Sequence, residues 1–348
     1  MPTGTLHIDL EAIAANWTAL DAKSVATCET AACVKADAYG LGVTKVAPRL
    51  VEAGCRAFFV ATAEEGFVLR RALGPEPRIY IFYGHMPGDT QILERADLVP
   101  MIHSVPQLTL HLEQAPRRPF GLQLDTGMNR LGLKLDEWAA VAELALRADP
   151  VLVMSHLASA DDPHSDQSAR QLARFHEMTD GIEVARSLAA TGGTLLGRDY
   201  HFDMVRPGIG LYGGLPFAQA EPVVSLDVPV LTCFDVPAGE SVGYNATWTA
   251  PADTRIATVA AGYADGFLRG LGPKSQLMAG PVACPVVGRV SMDLITVDIG
   301  HLDHDPERLT ILDATHGVDR LAAAGGTIGY EVLTSLGQRY GRRYRGVI

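Results

Sequence analysis

The sequence lacks clustered positive charge. Of its 348 residues, 29 are Lys or Arg and 40 are Asp or Glu, so the formal net charge is −11 at pH 7. Proteins that follow a phosphate backbone or lie on an anionic membrane carry basic runs or stripes. We therefore expect neither nucleic acid nor a membrane among the partners.

Cysteine pairs, long apolar runs and a leader are missing as well. The five cysteines are odd in number and scattered, without a C-x-x-C pair, which is typical of reduced, structural thiols. No apolar run is long enough to span a bilayer, and the first residues have neither a basic nor an apolar stretch. These absences predict a cytoplasmic location.

Apolar residues, by contrast, are plentiful. They make up 47% of the chain, against 20% for charged residues, which is enough for a large core and excludes a disordered protein. The length exceeds that of one average domain. A large barrel with a smaller domain, or two domains of middle size, would both fit.

Short apolar runs alternate with segments of helical period from Ala31 to about Tyr212. This alternation is typical of strand-helix units with a parallel sheet, and eight such units predict an α/β fold with an N-terminal (β/α)8 barrel. The predicted strands are residues 31–35, 57–61, 78–83, 98–103, 120–125, 151–156, 186–190 and 202–206.

After Tyr212, runs rich in Val and Thr follow one another without helical spacers. Strands joined so closely predict a mostly antiparallel β domain. We place the barrel in residues 1–215 and the β domain in residues 216–348. The predicted strands are residues 223–234, 240–249, 255–262, 282–290 and 294–299, and the predicted helices are residues 318–324 and 330–339.

Reactive side chains or glycine-rich turns follow five of the eight predicted barrel strands, and active sites of such barrels gather at these strand ends. The five segments are Lys35, Asp125–Arg130, His156, Thr191–Gly193 and Arg206–Gly210. The two glycine-rich segments can be plain turns, or nests whose backbone N–H groups bind phosphate. Their position after strands seven and eight favours phosphate. The set predicts one anionic, phosphate-bearing ligand.

Two histidines and two carboxylates between His156 and His164 raise the possibility of a metal site. Their spacing fits no helical ligand pair and Pro163 intervenes, so we predict no metal. For His156 we favour a hydrogen-bonding or ring-stacking role. We interpret His201–Asp203 and His301–Glu307 as solvated loops.

Lys35 stands where an apolar run ends, and Tyr39 follows in a turn with two glycines. Spacing alone is more typical of a surface lysine beside a strand-to-helix loop. The stretch Val34–Gly42, however, resembles the cofactor-lysine motif of the alanine racemase family. Further motifs resemble those of the same family in the same order: Asp125–Gly132 (DTGMNRLG), Arg206–Gly213 (RPGIGLYG), Val242–Thr249 (VGYNATWT), Gly262–Gly266 (GYADG) and Gly288–Asp293 (GRVSMD).

The resemblance implies pyridoxal 5'-phosphate as cofactor, interconversion of L- and D-alanine, and a homodimer with shared active sites. Racemisation needs an acid-base group on each face of the α-carbon; these would be Lys35, which is also the Schiff-base lysine, and the partner subunit's Tyr244. The cofactor-binding residues would be Lys35, Tyr39, Arg130, His156, Thr191, Arg206, Gly208, Ile209 and Tyr330. The substrate-binding residues would be Arg130, Tyr263, Met292 and Asp293.

One position departs from the family pattern. Many members have a carbamylated lysine two residues before the aspartate of DTGM, and its anion orients the arginine of this motif. Here the residue is Gln123, a neutral amide that cannot be carbamylated. We expect Arg130 to be oriented by an amide, or by an anion such as chloride.

Three other functions stay open: a racemase for serine or another amino acid, a decarboxylase with the same fold and cofactor, and a non-catalytic cofactor carrier. Broad-specificity racemases are usually exported, so the missing leader favours alanine. Decarboxylases of this type have an acidic group where Arg206 stands. A carrier would need neither the β domain nor Tyr244.

Overall fold

The computed structural model describes residues 4–346, which form two compact units. The barrel unit comprises Ile13–Leu211 and Leu215–Ala220, and the β unit comprises the other described residues. Among the helices of residues 4–346, none has the length and apolar character that a membrane crossing requires.

Parallel strands form the wall of the barrel unit. After β1 (Thr5–Asp9), which belongs to the β unit, its strands are β2 (Glu29–Thr30), β3 (Ala32–Cys33), β4 (Ala57–Val60), β5 (Arg78–Ile81), β6 (Val99–Ile102), β7 (Gly121–Gln123), β8 (Leu152–Met154), β9 (Arg186–Ser187) and β10 (Met204–Val205). The strands from β3 to β9 each pair with the next along the chain. All four residues of β4 and of β6 are buried, as expected for parallel strands covered on both faces.

The strand β10 closes the ring. It pairs with β2, which continues into β3 after Ala31, and Cys33 N donates to Pro207 O at 2.9 Å. On its other side, Arg206 N donates to Ala189 O, next to β9, at 2.8 Å. Backbone hydrogen bonds therefore run around eight strands, and the predicted barrel is confirmed.

Helices connect the strands on the outside, as in other barrels of this kind. They are α1 (Leu10–Asp21), which begins in the β unit, α2 (Lys35–Tyr39), α3 (Val43–Ala53), α4 (Ala63–Leu73), α5 (Thr90–Arg95), α6 (Val105–Gln114), α7 (Leu135–Arg147), α8 (Asp166–Thr179) and α9 (Thr191–Leu196). Hydroxyl oxygens of Thr62, Ser104 and Ser165 accept from the first turns of α4, α6 and α8. These N-caps explain where the three helices begin.

The β unit is mostly antiparallel, as predicted. Its further elements are β11 (Val224–Val236), β12 (Ser241–Val242), β13 (Trp248–Thr249), β14 (Thr254–Val259), β15 (Gln276–Ala279), β16 (Val282–Pro285), β17 (Ile295–Asp298), β18 (Arg308–Leu312), β19 (Gly341–Arg345), α10 (Val318–Gly325) and α11 (Gly329–Ser335). The main sheet has the order β16-β15-β18-β11-β1-β19; in addition, β14 pairs with β11, and β17 pairs with β14. Only β1 and β19 pair in parallel among these described strands.

The structure adds three strands of the β unit that were not predicted, β15, β18 and β19, and it corrects two sequence-based interpretations. Residues 240–249 do not form one strand, because β12 and β13 pair as a hairpin and left-handed φ angles of 79° at Gly243 and 62° at Asn245 turn the chain between them. His201 is not solvated. It is only 1% exposed, and its Nε2 donates to Thr194 O at 3.0 Å.

Two histidines lie buried together at the side of the barrel. His85 follows β5, His111 lies on α6, and their Nδ1 atoms are 3.1 Å apart. His111 Nε2 lies 3.2 Å from Arg118 O, which can only accept, so the proton of neutral His111 is on Nε2 and His85 Nδ1 donates to it. A second proton on His111 would lie on Nδ1 and would face the N–H group of His85. Burial lowers the pKa of both histidines.

Because of the buried pair of His85 and His111, we expect the protein to become less stable in mild acid. Below a pKa of about 6.5 the unfolded histidines bind protons that the folded pair excludes, so the free energy of unfolding falls by up to about 1.4 kcal/mol per pH unit for each ring. Urea unfolding between pH 7 and pH 5 should show a smaller fall for His111→Gln than for the unmodified protein. The same pH dependence in both proteins would contradict this account.

Candidate active site

Lys35 opens a left-handed turn, α2. All residues of Ala36–Tyr39 have φ between 53° and 55°, although this conformation costs about 1–2 kcal/mol for each residue other than glycine. The carboxylate of Glu65, on α4, holds the turn: one oxygen accepts from Ala36 N and the other from Ala61 N, both at 2.8 Å. The turn therefore fixes the backbone positions of both Lys35 and Tyr39 directly after β3.

An aromatic stack lies next to Lys35 inside the barrel. Lys35 Nζ is 5.4 Å from the ring centroid of Phe82. Phe82 stacks on Phe59 with centroids 5.2 Å apart, and Phe59 stacks on Tyr80 at 4.6 Å. The guanidinium carbon of Arg206 is 5.8 Å from the centroid of Phe59. Aromatic faces attract cations, so the stack stabilises the positive charges of Lys35 and Arg206, two of the predicted site residues.

Arg206 is a buried cation held by neutral oxygens. Its side chain is 3% exposed. Its Nη1 donates to Ser187 Oγ, and its Nη2 donates to Ser155 O at 2.7 Å and to Leu188 O at 3.5 Å. Burial lowers its pKa to about 10. The guanidinium is therefore still charged at neutral pH.

His156 follows β8 among cations. Burial, and after it the positive charges of Arg206, Arg130 and Lys35, lower its pKa to about 3. The ring is consequently neutral at physiological pH and can accept a hydrogen bond or stack. The positive charges of these three predicted site residues all act on His156, so an anion close to this histidine would be stabilised.

Thr191 and Gly208 form the part of the site that suits a phosphate. Thr191 is 2% exposed, and its Oγ1 accepts from Gly208 N at 3.0 Å and from Gly210 N at 3.3 Å. A hydroxyl that accepts two hydrogen bonds keeps its own proton for donation. The buried residue Ile209 lies between the two glycines.

Close packing against Tyr39 requires a glycine at position 208. A Cβ atom on Gly208 would lie 2.3 Å from Tyr39 Oη, so the Tyr39 phenol fills the position that any other side chain would take. The hydroxyls of Tyr39 and Thr191 thus flank one bare backbone segment. A cradle of hydroxyl and N–H groups without side-chain obstruction is what a phosphate ester requires.

Arg130 lies in the loop that follows β7. Oδ1 of Asp125 accepts from the backbone N–H groups of residues 127, 128 and 129, each at 3.0 Å, which shapes the loop. Arg130 itself is exposed, and within residues 4–346 its side chain forms no hydrogen bond. Gln123 Nε2 instead donates to Leu131 O at 3.3 Å. The Gln123 amide therefore does not orient Arg130 in this structure.

The other predicted site residues lie in the β unit. Tyr244, at the hairpin tip, is 68% exposed, and Met292 is 54% exposed. Tyr263 N donates to Ser291 O at 3.1 Å, which joins the GYADG and GRVSMD segments. Tyr330 is in the first turn of α11.

Arg339 was not predicted, but it fixes this region. Its Nε and Nη2 donate to the two oxygens of the buried Asp265 at 2.6 Å and 2.7 Å. Its Nη1 donates to Asp293 Oδ1 at 2.6 Å. The two carboxylates raise the pKa of the arginine. The residues are far apart in the chain, so no local pattern signalled this contact.

The described residues include no group of three or more His, Cys, Asp or Glu side chains arranged for a metal ion. The site instead combines a lysine, two arginines, a neutral histidine and a phosphate cradle.

Comparison with known proteins identifies this arrangement. Residues 8–216 match the family described as alanine racemase, N-terminal domain, and residues 223–344 match alanine racemase, C-terminal domain. The chain belongs to the alanine racemase family. The family recognised from the sequence motifs is thereby confirmed, together with the predicted class of pyridoxal-phosphate-dependent isomerases.

Individual relatives agree over the full length. Alanine racemase from Dinoroseobacter shibae is 62% identical over 346 residues, which cover 99% of each chain. Alanine racemase from Rhizobium meliloti is 44% identical, covering 98% of this chain and 96% of the relative. The solved alanine racemase from Bartonella henselae, described with covalently bound pyridoxal phosphate, has a TM-score of 0.94 at 34% identity, with 99% of each chain covered.

Replacing Gly208 with alanine should weaken binding of pyridoxal 5'-phosphate by about tenfold or more, because the added methyl group displaces the Tyr39 hydroxyl. Titration of the apoprotein with the cofactor, followed by absorbance, measures this. Gly317→Ala is the matched control, since a Cβ there meets no atom within 4 Å. Equal affinity of Gly208→Ala and the control would refute the cradle.

Proposed function

We propose that this protein interconverts L- and D-alanine with pyridoxal 5'-phosphate held on Lys35. The observation that carries the proposal is the convergence of Lys35, His156, Arg206 and the Thr191–Gly208 cradle at the strand ends of an alanine racemase barrel. Residues 1–215 would bind the cofactor, and residues 216–348 would complete the site of a partner subunit.

Each barrel residue has a task that follows from its surroundings. Tyr39, Thr191 and the backbone at Gly208 and Ile209 would hold the phosphate. Tyr330, at the start of α11, is proposed for the same group. When bound, the cofactor withdraws electrons and so makes the α-hydrogen of an amino acid easier to remove.

Arg206 and His156 set the charge of the cofactor environment. Arg206 would lie at the pyridine nitrogen and, with a pKa of about 10, would not donate its proton at neutral pH. This limits how strongly the ring withdraws electrons, which favours return of the proton over side reactions. His156, neutral because its pKa is about 3, would pack beside the ring without adding charge.

Two groups would exchange protons with the substrate. Lys35 Nζ would act on one face of the α-carbon, and the partner subunit's Tyr244 on the other. Arg130 would bind the substrate carboxylate. Tyr263, Met292 and Asp293 in the β unit of the partner subunit would also contact the substrate. The exposure of Tyr244 and Met292 supports a partner surface here, since exposed large apolar side chains often mark interfaces.

We also propose a cytoplasmic location. Within residues 4–346 none of the five cysteines forms a disulfide bond, and four of them are buried. Cysteines outside disulfide bonds are typical of reducing compartments.

The activity is tested with the purified protein, pyridoxal 5'-phosphate and single L-amino acids in deuterated water. Alanine should exchange its α-hydrogen and lose optical rotation faster than serine, without release of an amine. Lys35→Ala should lose the absorbance of covalently bound cofactor and nearly all activity, whereas Lys45→Ala, on the exposed face of α3, should keep both. Amine release would instead indicate a decarboxylase, and absence of exchange a carrier.

The shared site predicts complementation between two inactive variants. Lys35→Ala and Tyr244→Phe subunits should each be slow, but a mixed dimer has one complete site. Random exchange should restore about a quarter of the unmodified activity, because half of the dimers are mixed and each has one intact site of two. No recovery after verified subunit exchange would contradict sharing of Tyr244 across the dimer.

A further inference from the structure

Gln171 lies on the outer helix α8, yet its side chain reaches the strand ends. It is 0% exposed. Its Nε2 donates to His156 O at 2.9 Å and to Thr126 Oγ1 at 3.2 Å. Its Oε1 accepts from Ala158 N at 2.8 Å. One amide therefore holds the backbone on both sides of residue 157, directly after β8.

The hydrogen bonds continue from Gln171 to the buried arginine. Thr126 Oγ1 and Ser155 Oγ are 2.8 Å apart, and Ser155 Oγ donates to Leu124 O at 2.8 Å. The carbonyl oxygen of Ser155 accepts from Arg206 Nη2 at 2.7 Å. The loop after β7, the loop after β8 and Arg206 are thus joined through neutral groups, with Gln171 at the outer end.

The chemistry of this position requires an amide. His156 O can only accept and Ala158 N can only donate, so the residue on α8 must present a donor and an acceptor together. A carboxylate would lack the donor and would add a negative charge to a region where Arg206, Arg130 and Lys35 act on His156. An apolar side chain would leave two buried backbone groups without this partner.

A neighbouring residue shows that burial on this helix face does not by itself require a partner. Ser168, one turn earlier on α8, is 3% exposed, and its hydroxyl has no hydrogen-bond partner in the part of the chain that the structure describes. All three bonds of Gln171, by contrast, go to the loops that carry Arg130 and His156.

We propose that Gln171 is a positioning residue, which holds the His156 and Asp125–Arg130 loops in the geometry that binds the cofactor. It acts through Thr126 and the backbone at His156, without touching cofactor or substrate. This inference rests on the proposed function, because that function places His156 and Arg130 beside the cofactor.

The test compares Gln171→Met, which keeps the length of the side chain and removes its hydrogen bonds, with Ser168→Ala. For each protein the dissociation constant of pyridoxal 5'-phosphate, the absorbance spectrum of the bound cofactor, kcat and KM for alanine, and the melting temperature are measured. Gln171→Met should bind the cofactor about tenfold more weakly and shift its spectrum, the size of effect seen when hydrogen-bonded supports of a site are removed. Ser168→Ala should change neither the affinity for the cofactor nor its spectrum.

A double-mutant cycle tests the route through Thr126. Thr126→Val removes the contacts of Thr126 Oγ1 with Gln171 Nε2 and Ser155 Oγ, but leaves the other two bonds of Gln171, so it should weaken cofactor binding by a smaller factor, about threefold. Because Gln171→Met already lacks the contact with Thr126, the double variant should lose less affinity than the sum of the two single effects. Fully additive effects would show that Thr126 does not transmit the influence of Gln171.

The outcomes separate this proposal from the proposed function. A Gln171→Met protein that melts earlier but keeps cofactor affinity, spectrum and kcat within about twofold would reduce Gln171 to a structural role. If that variant does not fold, Thr126→Val decides, and an unchanged dissociation constant overturns the proposal. Failure of the unmodified protein to bind the cofactor at Lys35 would instead overturn the proposed function.

Discussion

The charge of Arg206, buried in the barrel unit, is the constraint on which the site depends. Within residues 4–346 the guanidinium has no carboxylate partner and is held by hydroxyl and carbonyl oxygens. A buried cation paired only with neutral groups disfavours further positive charge nearby, and this adds to the effect of burial, which is the main reason that the pKa of His156 falls to about 3. With Lys35 and Arg130 also present, the site is complementary to an anionic cofactor before any ligand enters.

Neutral hydrogen bonds fix this cationic site without cancelling its charge. Ser187 and the Ser155 carbonyl hold Arg206, the aromatic stack supports Lys35, and Gln171 ties the His156 loop to its neighbour. A carboxylate in any of these places would lower the positive potential that attracts a phosphate. The β unit uses the opposite solution, since Arg339 there joins two carboxylates.

The sequence predicted the barrel and much of the site for one physical reason. Parallel strands place all their carboxyl ends on one face, so Lys35, His156 and Arg206, each next to an apolar run, could be expected together. Their individual roles came from resemblance to family motifs. In the β unit β18 and β19 were not predicted, because they are stabilised by β11 and β1, which lie far away in the chain.

Local periodicity and the reactive residues at strand ends were thus determined by the sequence itself, because they depend on neighbours within a few positions. The left-handed turn after Lys35, the hairpin that presents Tyr244, and the contacts of Gln171 were decided only by the tertiary structure. Each costs local conformational energy or buries polar groups. Such features persist only where residues from other parts of the chain supply the compensating hydrogen bonds, as Glu65 does for the turn.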